Sequence, residues 1–89
     1  MKKIEIEIIN NLGLHARAAA KFVTLASKFS AEIMIGLNDK LVNGKSIMGV
    51  MMLAANKGTI LTLQTDGSDE DAAMSELTTL INNRFDEDN

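Results

Sequence analysis

An α+β sandwich, an open sheet with helices packed on one face, is the fold class predicted for this chain of 89 residues. Three observations carry that expectation. Residues Lys3 to Ile8 alternate strictly, with Ile4, Ile6 and Ile8 on one face and Lys3, Glu5 and Glu7 on the other, as in a half-buried strand. After His15 the period changes. Ala19, Phe22, Ala26 and Phe29 recur at helical spacing with Leu25 beside them, while Arg17, Lys21, Thr24 and Lys28 take the opposite face. The element order then reads β-α-β-β-α-β-α, strands mostly separated by helices and joined once by a hairpin. No repeat, linker or low-complexity segment interrupts it, so one domain over residues 1–89 is expected.

The first strand is broken by Asn10-Asn11-Leu12-Gly13, and the first helix is expected from Ala16 to Phe29, ended by Ser30. Ala31 to Leu37 alternates again. Asn38-Asp39-Lys40 has hairpin-turn chemistry and leads to a short strand at Leu41-Val42-Asn43. Ser46 is a good N-cap for a short helix from Ile47 to Leu53 or Ala54, with Asn56-Lys57-Gly58 as its C-cap signal. Thr59 to Thr65 is a β-rich run. Asp66-Gly67 is a turn, and Ser68 with Asp71 three residues on resembles a capping box. Asp69, Glu70 and Asp71 load the last helix's first turn with the favoured sign. Ala73, Leu77, Leu80, Ile81 and Arg84 continue that helix. Phe85 is expected to close over the core and Asp86 to Asn89 to fray as an acidic tail.

A chain this short buries roughly 60–65% of its unfolded surface, enough for one modest core. Its 46% hydrophobic and 24% charged residues are ordinary globular composition rather than that of a disordered chain. With no cysteine, disulfides and thiolate metal sites are excluded, and with one histidine a zinc site is not expected. Neither metal nor cofactor enters the reading. Met1-Lys2-Lys3 leads straight into alternation, without the apolar run of a secretory signal, and no stretch approaches a membrane span. The expectation is a cytoplasmic monomer that does not insert into membranes. The net charge is −3, and seven of the twelve carboxylates fall in Asp66 to Asp71 and Asp86 to Asp88. Arg17 to Lys28 holds three basic residues and no acidic one. That asymmetry suits a basic working surface facing an acidic protein partner. Nucleic acid fits poorly, because the chain is net acidic and its only aromatics are three phenylalanines.

The candidate site is the only histidine, in Gly13-Leu14-His15-Ala16-Arg17-Ala18, where the strand pattern gives way to the helical one. A helix N-terminus presents unpaired N–H groups and the positive end of a dipole, which attract phosphate-like anions. Carrying a phosphoryl group there requires a neutral imidazole to attack phosphorus, donors for the phosphoryl oxygens, and an exposed product. His15 supplies the nucleophile, its reference pKa lying near ~6.5. Arg17 supplies a delocalised cation with several donors, and the backbone N–H groups of Ala16 and Arg17 are the remaining donors. Ala16, Ala18 and Ala19 leave the approach uncrowded, and Gly13 gives the entering loop its freedom. The competing reading is a surface or capping histidine beside an arginine on a solvated helix face; spacing alone does not decide between them.

At these residues the chain resembles the histidine-containing phosphocarrier protein HPr family of the bacterial phosphoenolpyruvate-dependent phosphotransferase system. Gly13-Leu14-His15-Ala16-Arg17 is similar to the family's active-site segment. Asn43-Gly44-Lys45-Ser46-Ile47-Met48-Gly49-Val50-Met51 is similar to its second signature, around a regulatory serine. The Lys57-Gly58 and Asp66-Gly67 turns and the element order fit as well, so the resemblance covers essentially the whole chain. It implies an open-faced sandwich of four antiparallel strands covered on one face by three helices. It further implies that His15 accepts a phosphoryl group on Nδ1 from phospho-enzyme I and passes it to a histidine or cysteine of an enzyme II A domain. Arg17 would steady the group in transit. Such a protein is a shuttle turned over by its partners, not a catalyst. One departure stands at Ala18, where the family usually has proline; alanine also fits a helix's first turn and adds one N–H donor.

Ser46 carries two compatible readings. As an N-cap it contributes about 1 kcal/mol relative to alanine. The resemblance implies a second, phosphorylation by an ATP-dependent HPr kinase/phosphorylase, which would place negative charge beside the docking surface and repel an acidic partner. In the short helix that follows, Val50 and Leu53 are expected to fill the core. Ile47, Met48 and Met51 then form an exposed apolar patch suited to several partners, rimmed by Arg17 and Lys21, with Lys45 a weaker member. Three other readings are set against the sugar-transport phosphocarrier. The first is the nitrogen-branch phosphocarrier, of which the acidic Phe85-Asp86-Glu87-Asp88 ending is reminiscent. The second is a small-ligand- or RNA-binding α+β module, in which His15 is incidental and the RNA variant lacks sheet aromatics and a basic face. The third is an independent enzyme, which would need a second acid–base residue that the local sequence does not supply.

Overall fold

The alternating segments pair into one antiparallel sheet of four strands, β1 (Lys2–Glu7), β2 (Glu32–Leu37), β3 (Lys40–Asn43) and β4 (Ile60–Asp66), in the spatial order β1-β4-β2-β3. The computed structural model describes residues 1–87. Helices α1 (Ala16–Ala26), α2 (Ile47–Met51) and α3 (Glu70–Asn82) complete the open-faced sandwich, followed by a short turn at Arg84–Asp86. The register sets Ile4 opposite Leu63 and Ile6 opposite Leu61, while Ile35 meets Leu63 from the other side. β4 is therefore central, with pairs on both edges, which is why it carries no charge before Asp66. Its Leu61, Leu63 and Thr65 join Ile6, Ile33 and Ile35 beneath the fully buried Phe22, Val50, Leu77, Ile81 and Phe85. Truncating a buried phenylalanine such as Phe22 to alanine costs about 3–5 kcal/mol in a core of this kind.

Several boundaries differ from expectation, each for a local physical reason. α1 ends at Ala26 rather than Phe29: Lys28 and Phe29 donate to carbonyls three residues back, tightening the last turn. α2 ends at Met51, and Leu53 and Ala54 close it with the same three-residue bonds. Ala54, with φ of +49°, supplies the left-handed residue that the Asn56-Lys57-Gly58 signal was expected to provide. Gly58 instead belongs to the turn into β4, its N–H donating to the Ile8 carbonyl at 2.7 Å. Lys40 is the first residue of β3, not part of the turn, which is Asn38-Asp39 alone.

The expected Ser68–Asp71 capping box does not form. Asp69 occupies the N-cap position of α3 without capping it; its carboxylate accepts instead from the Ser30 and Ala31 N–H groups, both at 2.8 Å. Those long-range bonds, the Ser30 one foremost, hold the Asp69 pKa below its ordinary value. The reach-back of a capping box is made one residue earlier, by Glu70 accepting from the Gly67 N–H at 3.1 Å. Nor do Asp86 and Glu87 fray. α3 stops at Asn82, before Arg84, and the three residues Arg84, Phe85 and Asp86 all take left-handed backbone angles, with φ of 56°, 54° and 63°. Such residues carry a cost of roughly 1–2 kcal/mol each. Burial of Phe85, a bond from Lys21 Nζ to the Phe85 carbonyl at 2.8 Å, and a bond from Asn83 to Asp86 at 2.9 Å oppose it. The last two residues of the expected tail lie outside the described residues.

Candidate functional site

The loop from β1 to α1 is pinned before it reaches the histidine. The Leu14 N–H donates to the Ala55 carbonyl at 2.8 Å and the Gly13 N–H to the Asn10 carbonyl at 3.1 Å. Gly13 has a φ of +68°, and a Cβ there would stand 2.5 Å from the Ala55 oxygen, so only glycine lets the chain pass. Leu14 is buried beneath the loop. His15 follows in extended conformation, at φ −78° and ψ −179°, as the N-cap of α1.

Both ring nitrogens are engaged. Nδ1 accepts from the Arg17 backbone N–H at 3.3 Å, satisfying one of the unpaired donors of the helix start. Nε2 meets a carboxylate oxygen of Glu87, brought in by the left-handed turn from 72 residues away. The other Glu87 oxygen accepts from Asn10 Nδ2 at 2.8 Å, and the same nitrogen donates to the Gly13 carbonyl at 2.8 Å. Asn10 is fully buried, so it is a fixed bracket between the histidine loop and the C-terminal segment. Burial drives the Glu87 pKa up, but the Asn10 amide and His15 outweigh it, and the carboxyl ends below its ordinary value of 4.5. The His15 side chain retains 27% exposure, against 13% for Glu87.

Arg17 is exposed, and among the described residues no carboxylate pairs with its guanidinium. Its backbone N–H is at the ring, whereas Ala16 is exposed at the first helical position. Ala18, in the usual place of proline, is fully buried. Lys21 is half-buried and tied to the Phe85 carbonyl, yet with Arg17, Lys28 and one acid, Asp86, it lines an open groove along α1.

Ser46 caps α2, its Oγ accepting from the Gly49 N–H at 3.2 Å. Ile47, Met48 and Met51 are exposed and Val50 is buried. Met52, exposed at 79%, and Leu12, exposed at 71% on the histidine loop, extend the apolar surface beyond the residues expected from sequence. Lys45 bends away, donating to the Phe29 carbonyl at 2.6 Å. Sequence reasoning missed Asn10 and Glu87. The first reads as one of two turn asparagines and the second as one acid in an acidic run, and no local pattern links positions so far apart.

A four-stranded open-faced sandwich with a histidine-capped first helix defines an HPr-like protein. The chain matches the family described as PTS HPr component phosphorylation site over residues 2–83. It is 61% identical over 87 residues to the phosphocarrier protein HPr of Neisseria meningitidis serogroup A, covering 98% of both chains. It is 44% identical over 89 residues to the phosphocarrier protein NPr of Shewanella violacea, again covering 98% of both. Among solved structures it is similar to HPr-C-His from Thermoanaerobacter tengcongensis, with a TM-score of 0.95, 47% identity and full coverage of both chains. The chain belongs to the HPr family: it is a phosphocarrier protein of the phosphotransferase system, not an enzyme.

Proposed function

We propose that this protein, acting as a single cytoplasmic domain and a monomer, accepts a phosphoryl group from phospho-enzyme I on His15 Nδ1. It then delivers the group to enzyme II A domains in sugar uptake and its regulation. The observation that carries this reading is the His15 ring at the start of α1, with Nδ1 beside the Arg17 N–H and the exposed Arg17 side chain following it on the helix. When phosphorus bonds to Nδ1, the Arg17 N–H is in position to pass from the ring nitrogen to a phosphoryl oxygen, and the guanidinium adds a charged donor. No cofactor is required, because the bond energy arrives with the donor protein. Among the described residues no helix is long and apolar enough to cross a membrane. The basic groove along α1 and the exposed apolar Ile47, Met48 and Met51 of α2 suit an acidic, partly apolar partner face. The greater identity to HPr than to NPr favours the sugar branch over the nitrogen branch. Ser46 is the second phosphorylation site in this reading, modified by an ATP-dependent kinase.

The test is intact-mass spectrometry after incubation with phosphoenolpyruvate and enzyme I, for wild type and His15→Ala. One acid-labile phosphoryl group on wild type and none on the variant is the expected result, and it also establishes that Ala18 is tolerated. Equal labelling of both chains overturns the assignment. Running the assay with each branch's enzyme I separates sugar from nitrogen transfer.

A further inference from the structure

We propose that Glu87 is a positioning residue for the carrier imidazole: its carboxylate holds the ring proton on Nε2, turns the Nδ1 lone pair toward the phosphoryl group, and faces the positive charge that the ring gains on transfer. This rests on the reading of His15 as the carrier and adds to it a residue outside the family-matched segment of 2–83.

The two ring contacts require the same tautomer independently. An ionised carboxylate only accepts, so Nε2 beside Glu87 carries the proton. A backbone N–H only donates, so Nδ1 opposite Arg17 presents a lone pair. The carboxylate is itself fixed: its second oxygen is held by the buried Asn10, whose other bond is to the loop that delivers His15. Phe85 in the core and Lys21 on the Phe85 carbonyl anchor the segment that brings Glu87 in. Among the described residues, the carboxylate at the ring is Glu87, on the Nε2 side, and the Lys21 charge of α1 acts on it; the Nδ1 side meets the Arg17 backbone N–H.

The step balances without net proton transfer. On loading, the Nδ1 lone pair forms the N–P bond while the donor's bond to phosphorus breaks, its electron pair leaving with the donor. The ring keeps its Nε2 proton and becomes cationic, opposite the Glu87 anion. On unloading, a lone pair of the acceptor side chain forms its bond to phosphorus while the N–P electrons return to Nδ1, and the ring departs as neutral imidazole, a far better leaving group than imidazolate. A proton held on Nε2 therefore serves both directions of transfer, much as a carboxylate orients a general-base histidine.

The experiment is nitrogen-15 NMR of the His15 ring tautomer in the full, unphosphorylated chain, for wild type, Glu87→Gln and Glu87→Ala. Wild type is expected to show the Nε2–H tautomer, and Glu87→Ala a mixture of the two neutral tautomers. Glu87→Gln, whose amide oxygen can still accept from Nε2–H, is expected to keep the tautomer. Transfer from enzyme I is expected to slow by about tenfold in Glu87→Ala and to recover partly in Glu87→Gln. Backbone chemical shifts over the sheet serve as the fold control. An unchanged tautomer in Glu87→Ala overturns the positioning role. The tautomer measurement needs no phosphoryl donor, so that failure is distinct from failure of the carrier reading, which shows as labelling that does not depend on His15.

Discussion

The starts of α1 and α2 are built alike and backed differently. Each is an extended N-cap residue whose side chain accepts from a backbone N–H, His15 from Arg17 at 3.3 Å and Ser46 from Gly49 at 3.2 Å. Each side chain is also one that can carry a phosphoryl group. Behind His15 stand a carboxylate at Nε2, a buried amide that holds that carboxylate, and a glycine-shaped loop. Beside Ser46 the surface is apolar, formed by Ile47, Met48, Met51 and Met52, and the neighbouring Lys45 is turned toward Phe29. An imidazole is a nucleophile near neutral pH once its proton is placed, whereas a hydroxyl needs a base to remove its proton. The first start is therefore equipped to take a phosphoryl group from a partner. For the second to be phosphorylated, as proposed, both the group and the base would have to come from a kinase.

The largest expected difference between the two is chemical. His15→Ala abolishes the acid-labile label from phospho-enzyme I and Ser46→Ala retains it, as read by intact mass. Next is the scaffold: Asn10→Ala strips the Gly13 carbonyl and Glu87 of their shared donor and lowers stability by about 1–3 kcal/mol in urea unfolding. Ser46→Ala removes only a cap, with a loss of about 1 kcal/mol by the same measurement. Equal effects at Asn10 and Ser46 would remove the distinction between a braced start and a merely capped one. The smallest effect is in pH. Because folding lowers the Glu87 pKa, its contribution is fully present above the ordinary value of 4.5 and is lost as pH falls through the folded-state value. The protection factors of the Asp86 and Glu87 amides, which correct for the intrinsic slowing of exchange in acid, should therefore fall on acidification, while that of Gly49 under the Ser46 hydroxyl, which does not titrate there, should follow only global stability. Asp69 and Glu70, whose pKa values are also lowered, add to the global loss with the same sign.

By itself the chain determined the element order, the inward faces of β1 and α1, the Ser46 cap and the position of His15 at a helix start. These follow from periodicity and from single-residue chemistry within a few positions of one another, which a linear sequence displays. Segment ends were less legible, because three-residue bonds and a left-handed Ala54 closed α1 and α2 where propensity alone would have continued them. Asp69 was read correctly as acid at a helix start, but it spends its carboxylate on Ser30 and Ala31, which only the packing of α3 beside that loop makes available. Tertiary structure alone decided the surroundings of His15. Three successive left-handed residues, held by a buried Phe85, return the chain so that Glu87 reaches a ring 72 positions earlier, with Asn10 bridging them. A carboxylate in an acidic run reads as solvated because nothing adjacent in sequence gives it a partner; the partner is supplied by the core that closes the fold.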